Sequence, residues 1–197
     1  MNIAAIVLAA GRSSRMGPHN KLLEIFDGKK MIARVAETVI ASGVACPVIV
    51  VTGFEAELVA DALHGLDVTI VNNPDFEHGL STSLRAGLAA LPPDCDGALI
   101  LLGDMPQIES ADIAALMAAA KDREAICVPV KNGKVGNPIL WGAAYFPEMM
   151  QLTGDAGAKQ LLAKHSESIV EVPIASARIF TDIDTPSDLA LLTKSVE

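Results

Sequence analysis

Six short, largely apolar runs recur along the chain, at residues 3–8, 48–51, 68–71, 98–102, 126–130 and 169–172. Each has the length of one β-strand, and the continuous apolar character of several of them suggests that these are covered on both faces. The segments between them carry a different period. Ile32, Val35, Ala36, Val39 and Ile40 fall at i, i+3, i+4, i+7 and i+8, which is one face of an amphipathic helix. Leu84, Gly87, Leu88 and Leu91 repeat that spacing, as do Ile113, Leu116, Met117 and Ala120. Strands alternating with helices in this way predict an α/β fold: one doubly wound, mostly parallel sheet formed by residues 1–197 as a single domain. A less regular stretch over 131–146, punctuated by Gly133, Gly136 and Pro138, is expected to be a small excursion. It either covers a pocket or forms a surface hairpin.

Composition narrows what such a sheet does. With 51% hydrophobic residues in 197, the chain can bury a sizeable core. Its 15 basic and 24 acidic residues give a net charge of −9, which argues against broad nucleic-acid binding but not against a small basic pocket. Cys46, Cys95 and Cys127 are far apart in sequence and lack metal-ligand or redox-motif spacing, so buried thiols in a reducing compartment are expected. The apolar start is too short for a secretion signal, and no run approaches the roughly 20 residues of a membrane span. The expectation is a cytoplasmic protein with no membrane partner.

Open sheets of this kind bind ligands at the carboxyl ends of their strands. The first strand runs into Leu8, Ala9, Ala10, Gly11, Arg12, Ser13, Ser14, Arg15, Met16 and Gly17, followed by Asn20 and Lys21. Glycines at both ends let the backbone lie close to a ligand, and its N–H groups can face phosphate oxygens. Arg12, Arg15 and Lys21 add positive charge where a triphosphate would lie. The spacing fits neither a P-loop, because Gly17 is followed by Pro18 and His19, nor a dinucleotide fingerprint with its three glycines. The strand at 98–102 ends in Gly103, Asp104, Met105 and Pro106. An aspartate there either holds a divalent cation, which takes a few carboxylates plus water and phosphate oxygens, or starts a turn.

Taken together, these two motifs resemble the nucleotidyltransferases of the molybdenum-cofactor family, and among them the cytidylyl-transferring members. The resemblance extends through Gly79–Arg85, Gly136-Asn137-Pro138, Gly154-Asp155-Ala156-Gly157-Ala158 and Asp182-Ile183-Asp184-Thr185-Pro186. Cytidylyl members carry Leu-Ala-Ala-Gly where guanylyl members more typically read Leu-Ala-Gly-Gly, and a side chain at Ala10 narrows the space for a purine. This chain has Asn137 where many cytidylyl members have histidine, which leaves the acceptor less determined than the nucleotide.

The resemblance implies a Rossmann-like nucleotidyltransferase fold and Mg²⁺-dependent transfer of CMP from CTP to a phosphorylated pterin, the molybdenum cofactor. Arg15 and Lys21 would bind the triphosphate, and Asp104 would bind Mg²⁺ with Asp182 or Asp184. The residues from Leu8 to Gly17 would cradle the nucleotide. Thr52, Gly79, Ser81 and Ser83 are placed near the base and ribose, although either serine would equally serve as a helix cap. Asp155 is expected to cap a helix beginning near Ala156, whereas the resemblance would instead put Gly154–Gly157 near the pterin, and Trp141 is either core or a stacking surface for a pterin. A molybdenum hydroxylase is the client this activity implies. The competing readings are a nucleotidyltransferase using GTP or a sugar or polyol phosphate acceptor, and a non-catalytic carrier of nucleotide or cofactor. The missing dinucleotide glycines make a nicotinamide-dependent oxidoreductase remote.

Overall fold

Inside the main sheet lies β1 (Ile3–Ala9), a strand with every residue buried. Its side chains separate by the two-residue period of a strand: Ile3, Ala5, Val7 and Ala9 join one hydrophobic cluster, and Ile6 and Leu8 join the other. A helix layer therefore has to cover each face. The computed structural model describes residues 1–12 and 20–181.

Among the described residues, the further strands are β2 (Ile25–Phe26), β3 (Lys29–Lys30), β4 (Val48–Thr52), β5 (Thr69–Asn72), β6 (Gly97–Leu102), β7 (Ile126–Lys131), β8 (Lys134–Val135), β9 (Ile139–Gly142) and β10 (Ile169–Pro173). The main sheet runs β10-β7-β9-β6-β1-β4-β5, with β8 paired to β7. β1 is parallel to both β4 and β6, and β4 is parallel to β5. The small β2–β3 hairpin stands apart. The helices are α1 (Met31–Ala41), α2 (Ala56–Ala62), α3 (Leu80–Ala89), α4 (Ser110–Ala119) and α5 (Phe146–Met149). α1 and α4 pack with the first cluster, whereas α3 covers the second. Gly87 lets α3 lie against β1, since a Cβ there would come within 2.5 Å of Ile6 Cγ2.

All six expected strands form, as do the three expected helices. The stretch at 131–146 requires a correction. Its first part is a tight hairpin, in which Asn132 and Gly133 take positive φ values of 52° and 72° between β7 and β8. Its second part is no excursion. β9 inserts antiparallel between β6 and β7 and is buried throughout. Trp141 lies in it, fully buried and edge-on to Tyr145, and accordingly belongs to the core.

The three thiols are free, with Cys95 and Cys127 buried and Cys46 partly exposed. Burial, helped by the adjacent Cys46 thiol, pushes Cys95 up to about 12. Burial likewise pushes Cys127 up to about 11. An aromatic disulfide reagent at pH 8 is therefore expected to label Cys46 in the folded protein and the other two only in denaturant; equal rates for all three would contradict this. The sign for stability follows. Both thiols ionise more easily when unfolded, so stability should decline as pH rises above their ordinary value of 9.0.

Candidate active site

The carboxyl ends of β1 and β6 are neighbours, because Leu8 pairs with Leu102. The two chains then stay together for one more residue, with Gly103 N–H donating to Leu8 O at 3.0 Å. Asp104 is thereby set beside the loop that leaves β1. That loop returns through Asn20, which is buried: its Oδ1 accepts from Leu22 N–H at 3.1 Å, and its Nδ2 donates to Phe54 O at 3.4 Å. Asn20 is thus a pin for the short 3₁₀ turn Lys21–Leu23, and it aims Lys21 back at the sheet.

Lys21 Nζ donates to Asp104 Oδ2 at 2.5 Å, and the two side chains are 12% and 15% exposed. An ion pair so shielded acts through a lower effective dielectric than a surface pair, which strengthens its field on anything placed beside it. Both residues line a cavity of about 340 Å³. Leu8, Ala9, Ala10, Gly11, Gly79 and Ser83 line it too, so eight of the residues singled out in the sequence share one wall.

Others lie elsewhere. Thr52 and Ser81 are buried outside that wall, and their hydroxyls have no hydrogen-bond partner. Neither Ser81 nor Ser83 caps α3, contrary to the capping alternative. The cap position is Gly79, and the Thr82 hydroxyl, not a serine, lies 2.8 Å from Gly79 O. Ser83 Oγ instead accepts from Asn73 Nδ2 at 3.0 Å. Arg12 sits at the rim, bonded to Glu77 at 2.5 Å. Ser13, Ser14, Arg15, Gly17, Asp182 and Asp184 lie outside the described residues.

The cavity also takes in Phe76, Glu77 and Leu80, which the sequence did not place there, and Asp155. Of the two readings of Asp155, the helix cap needs a correction. The turn Ala158–Leu161 that follows is capped at Gly157 without any side chain, and Asp155 faces the cavity. The cause is a close approach of two loops. Ser81 N–H donates to Gly154 O at 3.1 Å, which carries the segment at 154–157 up to the start of α3.

A second, apolar cavity of about 170 Å³ adjoins the first and shares Leu8, Leu80 and Leu102 with it. Trp141 forms part of its wall. None of the described helices is long and apolar enough to cross a membrane.

A cleft across the carboxyl ends of parallel strands, with a lysine–carboxylate pair at its base, suits a phosphate-bearing ligand. Comparison with known proteins agrees: residues 5–169 match the family described as the MobA-like NTP transferase domain. The chain belongs to this family. As a MobA-like NTP transferase it is 32% identical over 187 residues to the molybdenum cofactor cytidylyltransferase of Escherichia coli K12, covering 94% of this chain and 93% of that one. Its fold superposes on a nucleotidyl transferase from Methanothermobacter with a TM-score of 0.86 at 26% identity, covering 98% and 96% of the two chains. It also matches Rv0371c of Mycobacterium tuberculosis H37Rv in complex with manganese, with a TM-score of 0.79, 27% identity and coverage of 99% and 100%.

Proposed function

We propose that this nucleotidyltransferase moves CMP from CTP to the phosphate of a pterin of the molybdenum-cofactor type, releasing pyrophosphate, with Mg²⁺ as its cation. The observation that carries the reading is the Lys21–Asp104 pair at the base of the cavity, where the loop after β1 meets the end of β6. The likeness to the cytidylyltransferase supports the substrate assignment.

The donor set fits a hard cation. Asp104 offers carboxylate oxygen, and the cavity wall holds no thiol or imidazole among the described residues. That suits Mg²⁺, which binds through one or two carboxylates and completes its shell with phosphate oxygens and water. The manganese complex of Rv0371c points the same way. When bound, the cation would act as a Lewis acid on the phosphate oxygens.

The chain's own residues do the remaining work. The attacking group is a phosphate oxygen, already ionised at neutral pH, so the reaction needs no general base. A bond forms from this oxygen to the α-phosphorus as the bridging bond to the β-phosphate breaks. Lys21 Nζ, shielded from water, would stabilise negative charge as it grows on the α-phosphoryl group. The backbone from Gly11 onward would hold the other phosphates, and Ala10 would narrow the space left for the base.

Titration calorimetry with CTP, GTP, ATP and UTP, each with and without Mg²⁺, tests the donor. CTP is expected to bind most tightly, and more tightly with Mg²⁺. Preference for GTP would overturn the reading. Pyrophosphate release with reduced molybdenum cofactor, but not with sugar or polyol phosphates, tests the acceptor.

A further inference from the structure

The cavity has two chemically different ends. Strand order β6-β1-β4-β5 separates Asp104, which follows β6, from the turn Phe76–His78, which follows β5. The turn folds back beside the end of β4, where a Cβ on Gly53 would lie 2.8 Å from both Ala10 Cβ and Phe76 Cβ, so Phe76 flanks the Ala10 side of the cavity while Asp104 stands at the end of β6. Lys21 and Asp104 make one end the place for a triphosphate, so the base of the nucleotide falls at the other. There Phe76 and Glu77 form the wall.

A carboxylate is an odd lining for a site that takes a polyanion, because it repels phosphate. Glu77 does not stand alone. Its Oε1 lies 2.5 Å from an Arg12 guanidinium nitrogen, and that guanidinium is 5.6 Å from the Phe54 ring centre and 5.9 Å from that of Phe76. The Arg12 and Glu77 side chains are 61% and 57% exposed, and a pair so open adds little to stability. The fold itself has small need of it. What it offers is a joined edge: a carboxylate oxygen that accepts, next to guanidinium N–H groups that donate.

The geometry points to Arg12 and Glu77 as the pair that reads the base, in place of the triphosphate contact that the sequence suggests for Arg12. This assignment rests on the reading of CTP as the donor. Cytosine presents its exocyclic 4-amino donor beside the N3 acceptor, so Glu77 takes the amino hydrogen and Arg12 donates to N3. Uracil presents the reverse order, an oxygen acceptor beside an N–H donor, and mismatches both partners. A base stacked on Phe76 covers the pair and excludes water from it, which raises the contribution of each hydrogen bond. Ala10 limits size, whereas Arg12 and Glu77 distinguish an amino from an oxo pyrimidine.

The test is calorimetric titration of CTP and UTP, with Mg²⁺, into the wild type and Glu77→Gln. The thermal midpoint serves as a folding control and should hardly move, since the pair is exposed. Glutamine can donate its amide N–H to the uracil oxygen, which glutamate cannot, while Arg12 still faces N3. Glu77→Gln is thus expected to weaken CTP binding by about 10- to 100-fold and to bring CTP and UTP close to parity. Glu77→Ala should weaken CTP similarly without improving UTP. If the wild type prefers CTP and Glu77→Gln keeps the same ratio, the donor reading stands and this assignment falls. If the wild type has no preference for CTP, the donor reading fails, and the assignment with it.

Discussion

Lys21→Ala is expected to lower kcat by about 10²–10³-fold, the usual cost of removing one preorganised group that stabilises charge in a transition state. The argument is positional. Lys21 is held by a buried asparagine and a turn of only three residues, and it reaches a carboxylate with which it is nearly enclosed. No reorganisation is needed when charge develops beside it. Lys21→Arg should restore only part of the rate, because a planar fork does not reproduce a compact point charge. Asp104→Asn should behave differently. It leaves Lys21 in place and removes the carboxylate, so activity should fall at low Mg²⁺ and recover in part as Mg²⁺ is raised. Initial rates of pyrophosphate release across an Mg²⁺ series separate the two variants, with the thermal midpoint of each as a control for folding. Lys21→Ala turning over within about fivefold of the wild type would remove the lysine from the chemistry.

The contrast between β1 and β9 explains how far the sequence could be read. β1 is seven apolar residues in a row, and an uninterrupted run of that length has few other fates. β9 is just as buried, but its four residues follow Gly136, Asn137 and Pro138 and read locally as part of a turn region. Only pairing with β6 and β7, both distant in sequence, makes it a strand. α2 was hidden for a related reason. It spans seven residues, and Glu55 before it sits at φ 50° with no side-chain cap, so no start signal marks it.

The site divides in the same way. Lys21 and Asp104 were legible because each belongs to a compact motif that follows a strand, Lys21 closing the loop after β1 and Asp104 directly after β6. Glu77 and Leu80 were not, and Asp155 was left between a cap and the site, because what gathers them is a contact between loops rather than a local pattern. Ser81 and Ser83 illustrate a finer limit. Two residues apart on a helix means about 200° of rotation, so one lines the cavity while the other turns into the core. Sequence named both and could not choose.

That loop contact can be broken with one methyl group. Gly79 sits at φ 105° and ψ 169°, a region open essentially to glycine alone. A Cβ there would lie 2.3 Å from the Gly154 carbonyl carbon, 2.4 Å from its oxygen and 2.7 Å from Asp155 N. All three atoms are backbone, so no side chain can swing aside. Gly79→Ala must therefore either strain its own φ or push the segment at 154–157 away, losing the hydrogen bond from Ser81 N–H to Gly154 O. The expected cost is about 3 kcal/mol or more, adding conformational strain to a forced loop displacement. Gly154→Ala is the matched control. It too has a positive φ, 63°, but its Cβ would meet nothing within 4 Å, so only the left-handed penalty of about 1–2 kcal/mol applies. Urea unfolding of both variants, compared at equal m-value, measures the difference. Equal losses would mean that the two loops do not touch as described. If Gly79→Ala loses more stability than its control, and also nucleotide affinity at temperatures where it remains folded, then the seam between these glycines holds the Leu80–Asp155 wall in place around the ligand.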